Sequence, residues 1–515
     1  MSSGPAADKR WVTWLLAVLA AAGFATGLVL ASPLIPDLDA LYHIGHALVY
    51  LERGLFYGEF PWVSASIIAD KGGDLWYGFH VLLVPIVGFQ PDAALAVPWA
   101  KGFVLFLGYL ALTWGFEEAE IPAPWLWPSL VFTATLFSPW RAVMTRPGIL
   151  SLGLLIVVVA ATARGRWKSA AAAGFLFAFV HLTTSWLIPV ALLVLLAAQV
   201  FTKRGVEWRT AGAVVAAALV GAFARPLPFS TMALLKVQII DVGRLVDYRP
   251  KLRFGAEVAQ PIAWETMRTI ATPLMILFGV AVLVGLWAWR KGKLREPALW
   301  FTVAALAVAF FALTTLKSAR TVELWSAATV ALLALTWRDT RPDRHLAGWT
   351  AASVLLLGGL AAFQLPRGIG YIERFGRSVD SGRAAAEWLA ANAEPNAVVF
   401  HAHWEDFPSY FAYNRKQRWI GGMDPVFEFR HDETKYWIAH WLCSDRATDQ
   451  VALTPQGYDG PTEPMAESLH RRFNADYLVV PAGRMPKLMQ YLDGRPEFRN
   501  EGVFNNVAVY RILVP

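Results

Sequence analysis

The chain has 515 residues, of which 56% are hydrophobic and 17% charged, with a net charge of +7 and a mean hydropathy of +0.41. Soluble domains are about 45–50% apolar, and the excess here comes in charge-free blocks, which excludes an ordinary soluble enzyme and points to a polytopic helical membrane protein. The positive charge lies in short loops, where it sets topology and is no sign of nucleic acid; a single cysteine, Cys443, excludes an internal disulfide and a cysteine metal cluster.

The first block, residues 11–31, is too long for a removable signal peptide and reads as a span. An external loop then runs over about 32–91. It opens with a stretch in which Asp39, His43, His46 and Tyr50 recur at helical spacing on one face, and Leu41, Ile44, Leu48 and Leu51 on another. This pattern predicts an amphipathic helix at headgroup level. Asp37 serves as helix cap or as a second acid, and two carboxylates exceed what one cap requires. Gly72-Gly73 makes a turn before Asp74. Residues 75–89, which include His80, are too short to span and read as a re-entrant or interfacial helix.

Five basic clusters, at 9–10, 164–168, 203–209, 290–295 and 338–344, mark one side of the membrane as cytoplasmic. Spans are expected over residues 94–114, 125–137, 149–163, 169–181, 186–201, 211–224, 269–289, 300–316, 324–337 and 346–365. Together with the first block they make about 11 spans, with a cytoplasmic N-terminus. The acidic run Glu117, Glu118 and Glu120 reads as a solvated cytoplasmic loop. Arg141 and Arg146, beside Pro147-Gly148 on the outer side, suit a phosphate or interfacial snorkelling equally. His181 falls at the outer end of a span, where a structural role is the commoner one. The long outer loop 225–268 contains Lys236, Asp241, Arg244, Asp247, Arg249, Lys251 and Arg253, and reads as an ordered lid. In the last short outer loop, Arg320 either pairs with Glu323 or reaches a lipid phosphate.

The chain accordingly divides into a transmembrane part, 1–365, and a soluble extracytoplasmic part, 366–515, of normal domain size. In the tail, helices at 382–392, 435–441, 464–473 and 486–492 alternate with strands at 397–401, 477–481 and 507–513, which predicts an α/β fold. His401, His403, Trp404, Glu405 and Asp406 follow the first strand, a usual place for a binding site. They also offer metal donors, with nothing to fix the remaining ligands. No phosphate-cradling glycine loop, His-Glu-x-x-His or Gly-x-Ser-x-Gly occurs.

The sequence Asp39-Ala40-Leu41-Tyr42-His43 after the first span resembles the first external loop of GT-C membrane glycosyltransferases, in particular oligosaccharyltransferase catalytic subunits. Trp76-Tyr77-Gly78 is similar to that family's Trp-x-x-Gly segment, and Trp404-Glu405-Asp406 to its Trp-Trp-Asp motif. The resemblance implies sugar transfer from a polyprenyl-phosphate or polyprenyl-diphosphate donor, on the extracytoplasmic face of a bacterial or archaeal plasma membrane. The acceptor would be a glycan, lipid or protein. It implies Asp39 as base or metal-side carboxylate, with Asp37 and His43 beside it and a divalent metal (Mg or Mn) as an option. It implies His46, His403, Trp404, Glu405 and Asp406 as substrate contacts, and Arg320, then Arg146, as phosphate holders. The second external loop lacks the family's acidic pair, which speaks against metal-dependent transfer to asparagine. The rival reading is a non-catalytic protein of the same fold that binds a glycolipid or partner; a transporter ranks last, because 211–224 and 346–365 are nearly devoid of polar groups.

Overall fold

A computed structural model describes residues 10–245, 252, 260–341 and 346–513. Asp247, Arg249, Lys251 and Arg253 of the expected lid lie outside the described residues. The protein is a polytopic helical membrane protein with a C-terminal α/β region. By contacts it divides into two compact units.

The first unit comprises residues 1–36, 98–224 and 256–376. Every expected apolar block in it is a continuous helix except 125–137. Five helices among the described residues are long and apolar enough to cross a membrane singly, among them Arg10–Ala31, Ala93–Glu118 and Trp264–Arg290. Others are shorter, such as Gly148–Ala163 and Trp167–Val180. Helices Trp167–Val180 and Trp208–Phe223 approach closely because small residues line the contact. A Cβ on Gly221 would meet the Phe175 carbonyl oxygen at 2.4 Å, and one on Gly174 would meet Val214 at 2.9 Å.

Block 125–137 breaks into the short helices Trp127–Val131 and Phe137–Ala142. Thr135 and Ser138 cap each other, with each backbone N–H donating to the other's hydroxyl at 3.1 Å. Such side-chain caps compete with the helical ladder.

Helix ends in this unit meet in two polar clusters. At one, Arg338, 1% exposed, donates to Asp339 (2.6 Å), Glu296 (3.1 Å) and the Ala119 carbonyl (2.7 Å). Arg166 and Ser169 both engage the Glu118 carboxylate there, and Arg10 engages Glu117. Glu118 is buried within this network. Within the acidic run Glu118 is therefore not solvated, while Glu120 stays exposed, and the run neutralises the basic loops at the same end. At the other cluster, Arg141 makes a bidentate pair with Glu323, both bonds 3.0 Å.

The second unit comprises residues 37–97, 225–255 and 377–515. Its centre is a five-stranded sheet, ordered β2-β1-β5-β7-β6, where β1 is Val398–His401, β2 Arg418–Trp419, β5 Ala475–Pro481, β6 Phe498–Phe504 and β7 Val507–Ile512. A separate hairpin pairs β3, Gln450–Ala452, with β4, Thr462–Pro464. β1 runs parallel to β2 and β5, and β5–β7–β6 is antiparallel. Phe400, Leu478, Val480, Leu469 and Tyr510 pack in its core.

The segment 32–91 contributes to this sheet. Trp419 N–H donates to the Trp62 carbonyl, and the N–H groups of Ser64 and Ala65 donate to the carbonyls of Trp419 and Ile420, all at 2.7 Å. Val63 bridges Trp419 in parallel, and Ala65 joins the tail's core. The loop thus covers the β2 edge, which would otherwise stay open to pairing.

Candidate functional site

The Asp39–Arg53 helix forms where the spacing predicts it, but it does not lie on a surface with one wet face. Every residue from Ala40 to Tyr50 is buried. It packs against Tyr77–Phe89 and against Phe407–Tyr413. Gly45 lets the latter approach: a Cβ there would lie 2.9 Å from the Phe411 ring and 3.2 Å from the Ala412 Cα. Burial on both sides removes the interfacial exposure expected of an amphipathic helix.

Its polar residues converge on one carboxylate. Asp74 Oδ2 accepts from the Tyr50 hydroxyl at 2.7 Å and from His80 Nδ1 at 2.6 Å, while Oδ1 accepts from the Trp76 N–H at 2.8 Å. His43 Nδ1 lies 2.7 Å from His80 Nε2. The Tyr42 hydroxyl meets His46 Nδ1 at 3.1 Å, and the His46 ring stacks on His80 at 4.2 Å. Arg225 Nη1 donates to the Asp74 carbonyl at 3.0 Å. His43, His46, Asp74 and His80 are all at most 5% exposed.

These contacts assign the protons. Burial alone would raise the Asp74 carboxyl, but the imidazoles and the hydrogen bonds from His80 and Tyr50 outweigh it and hold the group ionised, well below the usual carboxylate range. His80 Nδ1–H therefore donates to Asp74, and His80 Nε2 and His43 Nδ1 share one hydrogen between them. Asp74, His80 and His43 thus form one continuous hydrogen-bonded chain. Burial pushes His46 down to about 3, with Asp74 opposing, so His46 is neutral. Burial, then the Asp74 charge, holds the Tyr42 and Tyr50 hydroxyls protonated.

His46, Asp74 and His80 are also the one group among the described residues with metal-ligand spacing, their donor atoms lying within 4.8 Å of one another. Two imidazoles and a carboxylate suit zinc better than magnesium, which prefers oxygen ligands. Both nitrogens of His80 are committed to hydrogen bonds, and Asp74 is satisfied by three donors, so the arrangement fits a proton relay better than a metal. Asp39 is not part of the group.

The other expected site residues fall in several places. Asp39 opens its helix half-buried, and its N–H donates to Asp37 Oδ1 at 3.2 Å. Asp39 acts electrostatically on Tyr42. His46 joins the network with His43. In the first unit, Arg146 and Arg320 share the surroundings of His181, which is buried and bonded to Ser151 Oγ at 2.7 Å. Glu323 takes Arg141 as its partner.

In the tail, Trp404–Asp406 forms a 3-10 turn after β1. Glu405 pairs with Arg377 at 2.9 Å, and Asp406 lies 3.3 Å from Arg484 and 3.5 Å from Arg377. His403 Nδ1 is 3.1 Å from Arg484. His401 directs its ring nitrogens at the carbonyls of Gly421 (2.9 Å) and His403 (3.2 Å), and burial pushes it down to about 4. It serves the fold, and the His401–Asp406 stretch forms no metal set.

Sequence reasoning gives Asp74 and His80 no role here, and places Tyr50 on the face of Asp39, His43 and His46 without assigning it one. The available signals were a histidine inside an otherwise apolar helix, a carboxylate following two glycines, and Tyr50 continuing the face of His43 and His46.

The fold is that of GT-C membrane glycosyltransferases. The chain is similar to ArnT from Cupriavidus metallidurans bound to undecaprenyl phosphate, with 13% identity, a TM-score of 0.56 and 98% of both chains covered. The apo state of ArnT gives 14% and 0.55 at the same coverage. The arabinofuranosyltransferase AftD from Mycobacteria gives 15% and 0.56, covering 98% of this chain and 42% of that one. No protein-family model and no curated protein matches.

Proposed function

We propose that this protein is an integral membrane glycosyltransferase that moves a sugar from a polyprenyl-phosphate-linked donor to an extracytoplasmic acceptor. The observation that carries the reading is the end-to-end likeness to a protein solved with undecaprenyl phosphate. The residues on the first external loop support it. Transfer to an acceptor hydroxyl needs a base at the acceptor and cations at the departing phosphate. Asp39 is the base, with Asp37 beside it, and His43 takes up the proton through the hydrogen-bonded chain ending at Asp74. Arg320, and second Arg146, hold the donor phosphate. His46 and the Trp404–Asp406 turn shape the acceptor side. The basic loops put the N-terminus in the cytoplasm and the tail outside, in a bacterial or archaeal plasma membrane.

The test is transfer by the full chain in nanodiscs, with polyprenyl-phosphate sugars as donors. Asp39→Asn lowers kcat by about 10²–10⁴-fold, and Arg320→Ala raises the donor KM. Wild-type turnover in both variants removes these assignments. Donor binding without turnover in the wild-type protein establishes the non-catalytic glycolipid-binding reading instead.

A further inference from the structure

The tail holds a cavity of about 170 Å³ that shares no residue with the Asp74 relay. It lies at the carboxyl ends of the parallel strands β1 and β5, where open α/β sheets place ligands. Asp406 comes from the turn after β1, Arg484 from the turn after β5, and Ser409 and Tyr410 from the helix Phe407–Tyr413. Asn505 and Asn506, at the β6–β7 hairpin turn, close the rim.

Three observations define an occupant. The first is size: a cavity of about 150 Å³ takes one six-membered ring such as benzene, so this one holds a single ring. The second is chemistry. The six side chains named above bring hydroxyls, amides, a carboxylate and a guanidinium, and so both donors and acceptors. Tyr410 is 1% exposed and lines the cavity, yet its hydroxyl has no hydrogen-bond partner among the described residues. Facing the cavity, it is open to a hydrogen bond from a ligand hydroxyl. The third is charge. Arg484 is balanced by Asp406 and Arg377 by Glu405, so the cavity carries no surplus positive charge to select an anion.

We propose that this cavity binds one neutral monosaccharide ring, as a free sugar or as the terminal unit of a glycan. The cavity shares Asp406 with the turn assigned above to the acceptor side but none of its lining with Asp39, His43, Arg146 or Arg320, and sugar binding read without turnover tests it apart from that reading. It would hold a glycan by its end through the tail.

The experiment is saturation-transfer NMR on the full chain in nanodiscs, with the methyl glycosides of glucose, mannose, galactose and arabinofuranose, and with inorganic phosphate as competitor. The expected result is transfer to the ring protons of at least one sugar, undiminished by phosphate. Tyr410→Phe weakens that binding roughly 3- to 10-fold, the worth of one hydrogen bond. Asn506→Gly, which suits the positive φ of 68° at that turn, weakens it without touching the core and keeps the test sound if Tyr410→Phe folds poorly. Absence of transfer to every sugar, displacement by phosphate, or binding unaffected in both variants overturns the proposal.

Discussion

Glu428 sits under the loop that follows β2, 6% exposed, with its Oε1 accepting from the Gly422 N–H at 3.1 Å. The packing is tight: a Cβ on Gly421 would lie 1.9 Å from Oε1. Burial raises the carboxyl from an ordinary 4.5 to about 8, further than the Gly422 bond lowers it, with Asp424 adding to the rise. The folded loop therefore keeps a proton that the opened loop releases above pH 4.5. The associated stability is fully present below pH 4.5, falls steadily as the pH rises to about 8, and is flat beyond. At about 1.4 kcal/mol per pH unit, the span from 4.5 to about 8 amounts to on the order of 5 kcal/mol. Glu428→Gln removes the titration and keeps the shape. Hydrogen exchange of the peptide covering residues 418–432, compared at matched pH, reads the local opening free energy. Near pH 5 the two proteins should agree within about tenfold. At pH 8.5 the variant should be protected roughly 10³-fold more than the wild type, the same energy expressed as a rate ratio. An offset that does not change with pH refutes the reasoning, because it would mean that Glu428 is ionised throughout or titrates equally in both states.

Two further substitutions probe buried charge. Tyr50→Phe removes the hydroxyl donor from Asp74 and should cost about 1.5–3 kcal/mol, the worth of a hydrogen bond to a charged group. In a double-mutant cycle by thermal unfolding, the loss should vanish when Asp74→Asn is already present. Arg338→Ala removes both guanidinium bonds to the Asp339 carboxylate, leaving it only the Arg295 contacts, and should destabilise the first unit by about 3–5 kcal/mol. Arg338→Lys should recover little in the same melts, because an ammonium cannot reproduce the two parallel bonds to Asp339.

The helical blocks were legible because long apolar runs leave few other solutions for a chain in lipid. Block 125–137 misled because its hydroxyls were passed over: Thr133 bonds the Ser129 carbonyl, and Thr135 and Ser138 cap each other where the helix breaks. Glu118 looked solvated because the arginines that bury it, Arg164 and Arg166, are distant in sequence and were assigned only to topology. In the tail, the strands at β1, β5 and β7 were readable as apolar runs. β6 was not, because it lies at the sheet edge with Arg499, Asn500 and Glu501 in its middle. His43 and His46 stood out by helical spacing. Their partners Asp74 and His80 did not, since a relay is built from contacts between elements and has no period of its own.

The strip at residues 62–65 has a consequence for biosynthesis. Trp62 donates its indole N–H to the Arg415 carbonyl across 353 positions of chain. At about 5–20 residues per second, that acceptor is made some 20–70 seconds after the donor. Throughout that interval the first loop, already outside under the proposed topology, has no strand to join, and nearly every span must be threaded before one arrives. The β2 edge and the loop thus act as the two halves of a clasp that closes only after the spans between them have been made. A chain truncated before residue 415 would leave the loop's backbone groups and Trp62 without their partners, and a tail expressed alone would present an open edge. Assembly of the second unit therefore reports that the whole membrane part has been laid down.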